Sequence, residues 1–356
     1  NGVISPFWRV ISAAVLGIAL IWLGEFVRRG WGDEAQNHTA YLPSTFSGAG
    51  LVALFSAVLA ARQLYGLVTP EAAFVWLIGV SIVAIVLGWF YGPFLTVVGI
   101  LGSTLAPFLV GGESGGAQLY FYYFALIAIA GLVVDAFKRW AWVSVFALIF
   151  TFIAAAYIFS AGAGDQHFIA FALIASVAAA IIPMRKLVPR HSGSMISATA
   201  LGLADRNLVL PEFPTRIAAG AFFAACAAVF MVALKDAGPA ESWLALFALA
   251  FLFLFATVWM RAAVALADLA LVPAALFLVA IVVQAMDHGS LYSAFNTGLN
   301  SLPEAAPPGT VTALGAMALA ASGVAVWRAL WPTSLSMVWA GGAALFAPTA
   351  IVLLEI

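Results

Sequence analysis

The chain has 356 residues, of which 65% are hydrophobic and only 8% charged, with a formal net charge of −1. Soluble domains are about half apolar and about a quarter charged, so this composition belongs in lipid. Near-neutral charge and scattered cations leave no basic surface for nucleic acid, and a single cysteine, Cys226, excludes an internal disulfide or a cysteine-ligated metal.

Uncharged apolar runs of about 18 residues or more recur along the whole length. They are apolar on every face instead of alternating, which predicts helices and not barrel strands, since in lipid every backbone group needs an internal partner. The fold class is all-α, a polytopic transmembrane helical bundle with some spans kinked by proline or glycine. Turn punctuation divides it into about twelve spans: 6–28, 44–66, 71–90, 93–111, 117–137, 140–160, 166–184, 214–234, 240–260, 262–286, 309–330 and 334–355. They group as a first bundle over 1–184, a cytoplasmic linker over 185–213 and a second bundle over 214–356. The chain begins without a start methionine or signal-peptide pattern and reads as a segment of something longer.

In the first span Glu25 precedes Arg28 and Arg29 by three and four residues, the spacing of an interfacial ion pair. Gln63, near the end of the second span, is placed to bond across helices. The fourth span holds GILGSTLAPFL, residues 99–109. Gly99, Gly102, Ser103 and Ala106 share one face, a strip where another helix can approach closely. Pro107 cannot donate to the carbonyl of Ser103, which predicts a kink. The freed carbonyl can be served by the hydroxyls of Ser103 and Thr104 or by a neighbouring helix. The stretch reads either as a tightly packed crossing or as the hinge or broken helix of a mid-membrane site.

Asp135 stands to Lys138 and Arg139 as Glu25 does to its arginines. Beyond the sixth span, Asp165 and His167 make a carboxylate and imidazole pair at a loop tip. The stretch SGSMISATALGLADRN suits either a short helix on the membrane surface near Lys186 and Arg190 or a plain linker. Cys226 reads as a small core residue. A very tight turn at Arg261 is the least marked boundary. Asp268, about two turns later on an apolar helix, faces a water-filled cavity or pairs with Arg261 or another helix. Pro273 and Pro348 repeat the proline break of the fourth span. Gln284 lies near a helix end, Asp287 and His288 form a second pair, and residues 296–309 read as a loop.

Eleven of the fourteen lysines and arginines fall in the odd-numbered connections, which places those turns in the cytosol and Asn1 outside. Tryptophan flanks the cation in four of them: Trp31 by Arg29, Trp140 by Arg139, Trp259 by Arg261 and Trp327 by Arg328.

NGVISPFWRV leading into LGIALIWLGEFVRRG, the stretch GAGLVALFSAVLAARQLYGLVTPEAAF, GILGSTLAPFLV and the KRWAW turn together resemble the bacterial polytopic proteins catalogued as domain of unknown function 2339. The resemblance covers Asn1 to about Pro189. It implies a bacterial inner membrane, and a preceding charged cytoplasmic segment with one more helix, which would deliver Asn1 to the periplasmic side. It supplies no reaction, substrate or catalytic residue.

Helix number and proline breaks point to transport or flipping of a hydrophobic or lipid-linked envelope component, with membrane lipids as partners. Scarcity of buried charge counts against an ion-coupled carrier of polar solutes. The alternative is a scaffold or accessory subunit, with other membrane subunits as partners. A third reading, an envelope-modifying transferase, requires Asp165, His167, Asp287 and His288, or Glu241 and Glu304, to converge. No nucleophile elbow, phosphate-cradling loop, HExxH or paired haem histidines occur, so neither an enzyme with a familiar motif nor a cofactor or metal is expected.

Overall fold

Long runs of Leu, Ala, Val, Ile and Phe leave the backbone no partner but itself, and they form helices throughout. A computed structural model describes residues 5–31, 42–110, 117–162, 164–193, 211–235, 238–286, 309–330 and 336–355. Among the described residues there are twelve α-helices and no strand. They are α1 (Pro6–Trp31), α2 (Leu42–Leu59), α3 (Pro70–Tyr91), α4 (Pro93–Val110), α5 (Ala117–Lys138) and α6 (Ala141–Ser160), followed by α7 (Asp165–Ile181), α8 (Phe213–Leu234), α9 (Pro239–Thr257), α10 (Leu271–Met286), α11 (Gly309–Ala329) and α12 (Ser336–Glu355). Among the described residues, ten helical stretches are long and apolar enough to cross a membrane. Of the other two, α7 has 17 residues, a rise of about 25 Å against a hydrocarbon core of about 30 Å, and the apolar stretch within α12 is Trp339–Leu353.

Two compact units divide the chain, Asn1–Ala155 and Ala156–Ile356. In the first, α1 and α2 pack through glycine. A Cβ on Gly17 would stand 2.8 Å from the carbonyl oxygen of Gly50, and one on Gly24 would stand 2.6 Å from Ser47 Oγ. A π-helical turn, Ala60–Leu64, ends α2. It carries Gln63, whose Nε2 donates to the carbonyls of Leu109 (2.5 Å) and Val110 (3.3 Å), and Arg62, whose Nε donates to Val110 (3.3 Å). These are last-turn carbonyls of α4 with no intrahelical partner, so the cross-helix bond expected of Gln63 caps a helix. Thr69 caps α3, its hydroxyl accepting from the Ala72 amide at 3.3 Å. Gly92, with φ 121°, makes the turn into α4 that a side chain would strain.

The i, i+3 and i, i+4 pairs predicted for Glu25 form, at 2.6 Å to Arg28 and 2.7 Å to Arg29. Tyr91 of α3 donates to the same carboxylate at 2.5 Å. Asp135 departs from its expected pairing with Lys138 and Arg139. Its carboxylate is buried and accepts from Ser144 Oγ of α6 at 2.6 Å. Lys138 Nζ lies instead over the Trp89 ring, 4.6 Å from its centroid. Arg139 adopts a left-handed φ of 57° to turn α5 into α6, which brings the face of Asp135 against that helix.

In the second unit the alanine-rich α8 packs against α7, α9 and α10. Cys226 is one of its core residues, as expected. The turn predicted at Arg261 is present but takes a different form. After α9 come two 3₁₀ segments, Trp259–Ala262 and Val264–Ala270, parted by Ala263 at φ −99°, ψ 79°. Asp268 therefore belongs to a 3₁₀ segment and not to the α-helix expected from 262 onward. Pro273 stands in the first turn of α10, where amides lack intrahelical partners anyway, so it breaks nothing. Pro348 lies inside α12. The sequence expected as a surface helix from residue 194 onward, the outer loop before Gly309, Asp287, His288, Glu304 and the side chain of Gln284 lie outside the described residues.

Candidate functional site

The site residues anticipated in the fourth span lie inside close packing. A Cβ on Gly99 would stand 2.9 Å from Ala84 Cβ, from Ile85 Cγ1 and from the main-chain oxygen of Ser81, and the open face of Gly102 is filled by the Phe55 ring of α2. Ser103 and Thr104 are buried, and their hydroxyls donate to the carbonyls of Gly99 and Ile100, each at 2.8 Å. The carbonyl of Ser103, which Pro107 cannot serve, accepts from the hydroxyl of Tyr123 on α5 at 2.9 Å. α4 continues through Pro107 to Val110. Of the two ways foreseen to satisfy that carbonyl, the neighbouring helix is the one used.

An opening lies elsewhere, in the second unit. A cavity of about 220 Å³ lies among α9, α10, α11 and α12. Phe253 and Leu254 face it from α9, Pro273 and Phe277 from α10, Ala321 from α11 and Phe346 from α12. Every described side chain that lines it is apolar. The space exists because α11 presents alanines, Ala320 and Ala321, where the other helices present phenylalanine. Leu254 and Phe247, also on its wall, are 44% and 56% exposed, so the cavity reaches the outside of the unit. At that size it exceeds the roughly 150 Å³ apolar cavity that stays dry and takes up benzene in another protein. It is smaller than the roughly 300 to 1,000 Å³ of most small-molecule sites. Such a space suits a length of hydrocarbon chain and offers nothing to a polar solute.

Among the expected site residues, Pro273 lines this cavity, Pro348 is two positions beyond Phe346, and Asp268 is buried in the 3₁₀ segment that leads into α10. Of these three, Pro273 alone is a lining residue.

Asp165 opens α7, and its carboxylate pairs with Lys235 at 2.7 Å, while the same ammonium lies 4.8 Å from the centroid of Phe159. That carboxylate is held by a structural partner. Among the described residues no group of three or more His, Cys, Asp and Glu side chains could hold a metal.

Two residues carry more than their sequence context signals. Arg328, which the sequence marks as an interfacial anchor beside Trp327, is only 3% exposed. Its Nη2 donates to the main-chain carbonyl of Arg261 at 3.4 Å. His191, in the connection after α7, is buried. Its Nε2 lies 3.1 Å from the Ala180 carbonyl, which can only accept, so Nε2 carries the proton and Nδ1, 3.1 Å from Thr215 Oγ1, accepts from that hydroxyl. The neutral ring ties the last turn of α7 to the first turn of α8. Ser192 to Glu212 (3.2 Å) and Trp259 Nε1 to the Leu187 carbonyl (2.9 Å) fasten the same connection.

Burial pushes the His191 imidazole below its ordinary pKa, against smaller opposing effects from the Ala180 carbonyl and the Glu212 carboxylate. The unfolded chain therefore takes up the proton first, so this contribution to stability is complete above about pH 6.5 and is lost as pH falls below it. The thermal unfolding midpoint in detergent is expected to drop between about pH 7 and about pH 5. The drop should shrink in His191→Gln; an identical pH profile in that variant refutes the assignment.

A family model described as "Predicted membrane protein (DUF2339)" matches residues 1–356, well past the stretch over which the quoted motifs carry the resemblance. No curated protein matches the chain. No solved structure matches it either.

Proposed function

We propose a lipid-handling role for this chain, which belongs to the DUF2339 family of predicted membrane proteins over residues 1–356. In this reading it binds and moves a hydrophobic or lipid-linked component of a bacterial inner membrane, with Asn1 on the periplasmic side and the turns at Arg28, Lys138 and Arg261 in the cytosol. The observation that carries the reading is the cavity walled by Phe253, Pro273, Phe277 and Ala321. An apolar space that opens sideways from a membrane helix bundle has hydrocarbon chains as its natural occupants. No polar lining offers a solute an alternative to water.

The test is transbilayer movement of a fluorescent phospholipid in vesicles that contain the purified chain. Ala321→Trp fills the cavity from α11 and is expected to slow movement at least about tenfold while leaving the unfolding temperature unchanged or higher, since it adds buried apolar area. Movement no faster than in empty vesicles, or unaffected by Ala321→Trp, overturns the reading.

A further inference from the structure

Asp135 lies three residues before Lys138, the last residue of α5, so it stands about one helical turn inside the end of that span. It is 7% exposed, and among the described residues no cation pairs with it. The nearest cation in sequence turns away: Lys138 Nζ lies over the rings of Trp89 and Trp140, 4.6 and 5.8 Å from their centroids. The side-chain partner of Asp135 is the buried Ser144 of α6, whose Oγ is 2.6 Å from Oδ2 and 2.9 Å from the Ala141 carbonyl. The surrounding helices bring no further charge to it. α4, which packs on α5, has no ionisable side chain, and α6 has only Tyr157, thirteen residues beyond Ser144 and exposed. On α3, which Trp89 joins to Lys138, Glu71 stands in the first turn and the Tyr91 hydroxyl is given to Glu25. The tyrosines of α5 itself, Tyr120, Tyr122 and Tyr123, lie near its other end, and Arg139 is exposed just beyond Lys138.

Ser144 has one hydroxyl proton and two acceptors within reach of it. When Asp135 is ionised, that proton goes to its carboxylate. When Asp135 carries a proton on Oδ2, the carboxyl donates to Ser144 Oγ and the hydroxyl turns to the Ala141 carbonyl. Each state keeps a hydrogen bond between the two side chains at the same heavy-atom positions. A proton can therefore be taken up or released without repacking the helices. Burial in lipid and the negative end of the α5 dipole weigh against the ionised form, and the charge-assisted bond from Ser144 weighs for it.

We propose that Asp135 and Ser144 form a reversible proton-binding site, one turn inside the membrane at the junction of α5 and α6. Loading adds one proton from water to Oδ2, takes the site from one negative charge to none and swings the Ser144 hydrogen to the Ala141 carbonyl; release reverses each step. The ligand is a proton and not a metal ion. The two side-chain oxygens are 2.6 Å apart, the spacing of a shared proton. That is closer than the roughly 2.8 Å between neighbouring oxygens around an octahedral ion bound at about 2.0 Å. The site belongs to the first unit and the apolar cavity to the second, so this assignment does not depend on what the cavity holds.

Infrared difference spectroscopy of the full chain in lipid, titrated between about pH 5 and about pH 9, reads the site directly. The expected signal is the carbonyl stretch of a protonated carboxyl that grows as pH falls, moves in heavy water and is lost in Asp135→Asn. Ser144→Ala should keep the band but raise the proton affinity roughly tenfold, because only the ionised form loses a charge-assisted bond. A serine that merely packed would leave the midpoint where it was. Sodium added at fixed pH is expected to leave the band unchanged. Should Asp135→Asn fail to fold, the midpoint in Ser144→Ala, read with Asp135 in place, decides. A band that persists in Asp135→Asn, a band constant across the range, a midpoint unmoved in Ser144→Ala or a band that responds to sodium each overturns the assignment.

Discussion

Gly99→Leu is expected to prevent accumulation of the folded protein, whereas Gly79→Leu on the neighbouring helix is expected to leave it intact. At position 99 even a single Cβ would stand 2.9 Å from the Ser81 main-chain oxygen, with Ala84 and Ile85 equally close. The Ser81 carbonyl belongs to the α3 backbone and cannot rotate out of the way, so α3 and α4 must part. Ala84 is also a member of the buried cluster with Leu51 and Leu95, to which Ile21 of α1 adds. The cost falls at the upper end of overpacking, about 3 kcal/mol or more, a large share of the roughly 5 to 15 kcal/mol that holds a typical domain together. A Cβ on Gly79 would meet nothing within 4 Å, and the position is exposed. Leucine there is expected to shift stability by less than about 0.5 kcal/mol. Size-exclusion profiles and thermal unfolding of the two purified variants in detergent decide the matter; equal behaviour would mean that the Gly99 crossing does not hold the first unit together.

That crossing was legible in the sequence because its signal is local. Small residues three and four apart on one face state where a backbone can be approached, and Gly99 and Gly102 are approached there, by α3 and by Phe55 of α2. The helices were legible for a similar reason, since an uncharged run of sufficient length has one stable form in lipid. Glu25 and its arginines need only the helical repeat. Asp135 shows where that logic ends: it has the same spacing to Lys138 and Arg139, but the left-handed turn at Arg139 offers it Ser144 at shorter reach than either cation. The 3₁₀ segments around Asp268 carry no composition that sets them apart from an α-helix. The cavity was not legible at all, because it arises from four helices and from alanine on one facing phenylalanine on others. Arg328 gave no warning either: its neighbour Trp327 is 37% exposed, while Arg328 itself turns inward. Burial of a cation depends on which face of α11 meets α9, and a single helix of nearly uniform apolarity does not encode that in its periodicity.

Tyr123→Phe should lower stability through one atom. The substitution keeps the ring, which meets Phe74 and Phe124 at centroid distances of 5.3 and 5.8 Å, and removes only the hydroxyl that donates to the Ser103 carbonyl. That carbonyl would then have no donor, since Pro107 has no amide hydrogen to offer and the Ser103 and Thr104 hydroxyls are engaged one turn earlier. Membrane interhelical bonds are worth about 0.6 kcal/mol on average and up to about 1.7. Leaving a buried acceptor unserved adds to this, for an expected loss of about 1 to 2 kcal/mol. Pro107→Ala restores an amide at the position that normally serves Ser103, so in that background Tyr123→Phe should cost about 1 kcal/mol less. The coupling is the informative quantity, because a general packing defect would penalise both backgrounds alike. Equal losses, measured by reversible unfolding of the four proteins in mixed micelles, would mean that the tyrosine does not stand in for the missing amide. A clear difference would show α5 completing a helix that α4 cannot complete by itself, which explains how a proline persists near the end of a membrane span without breaking it.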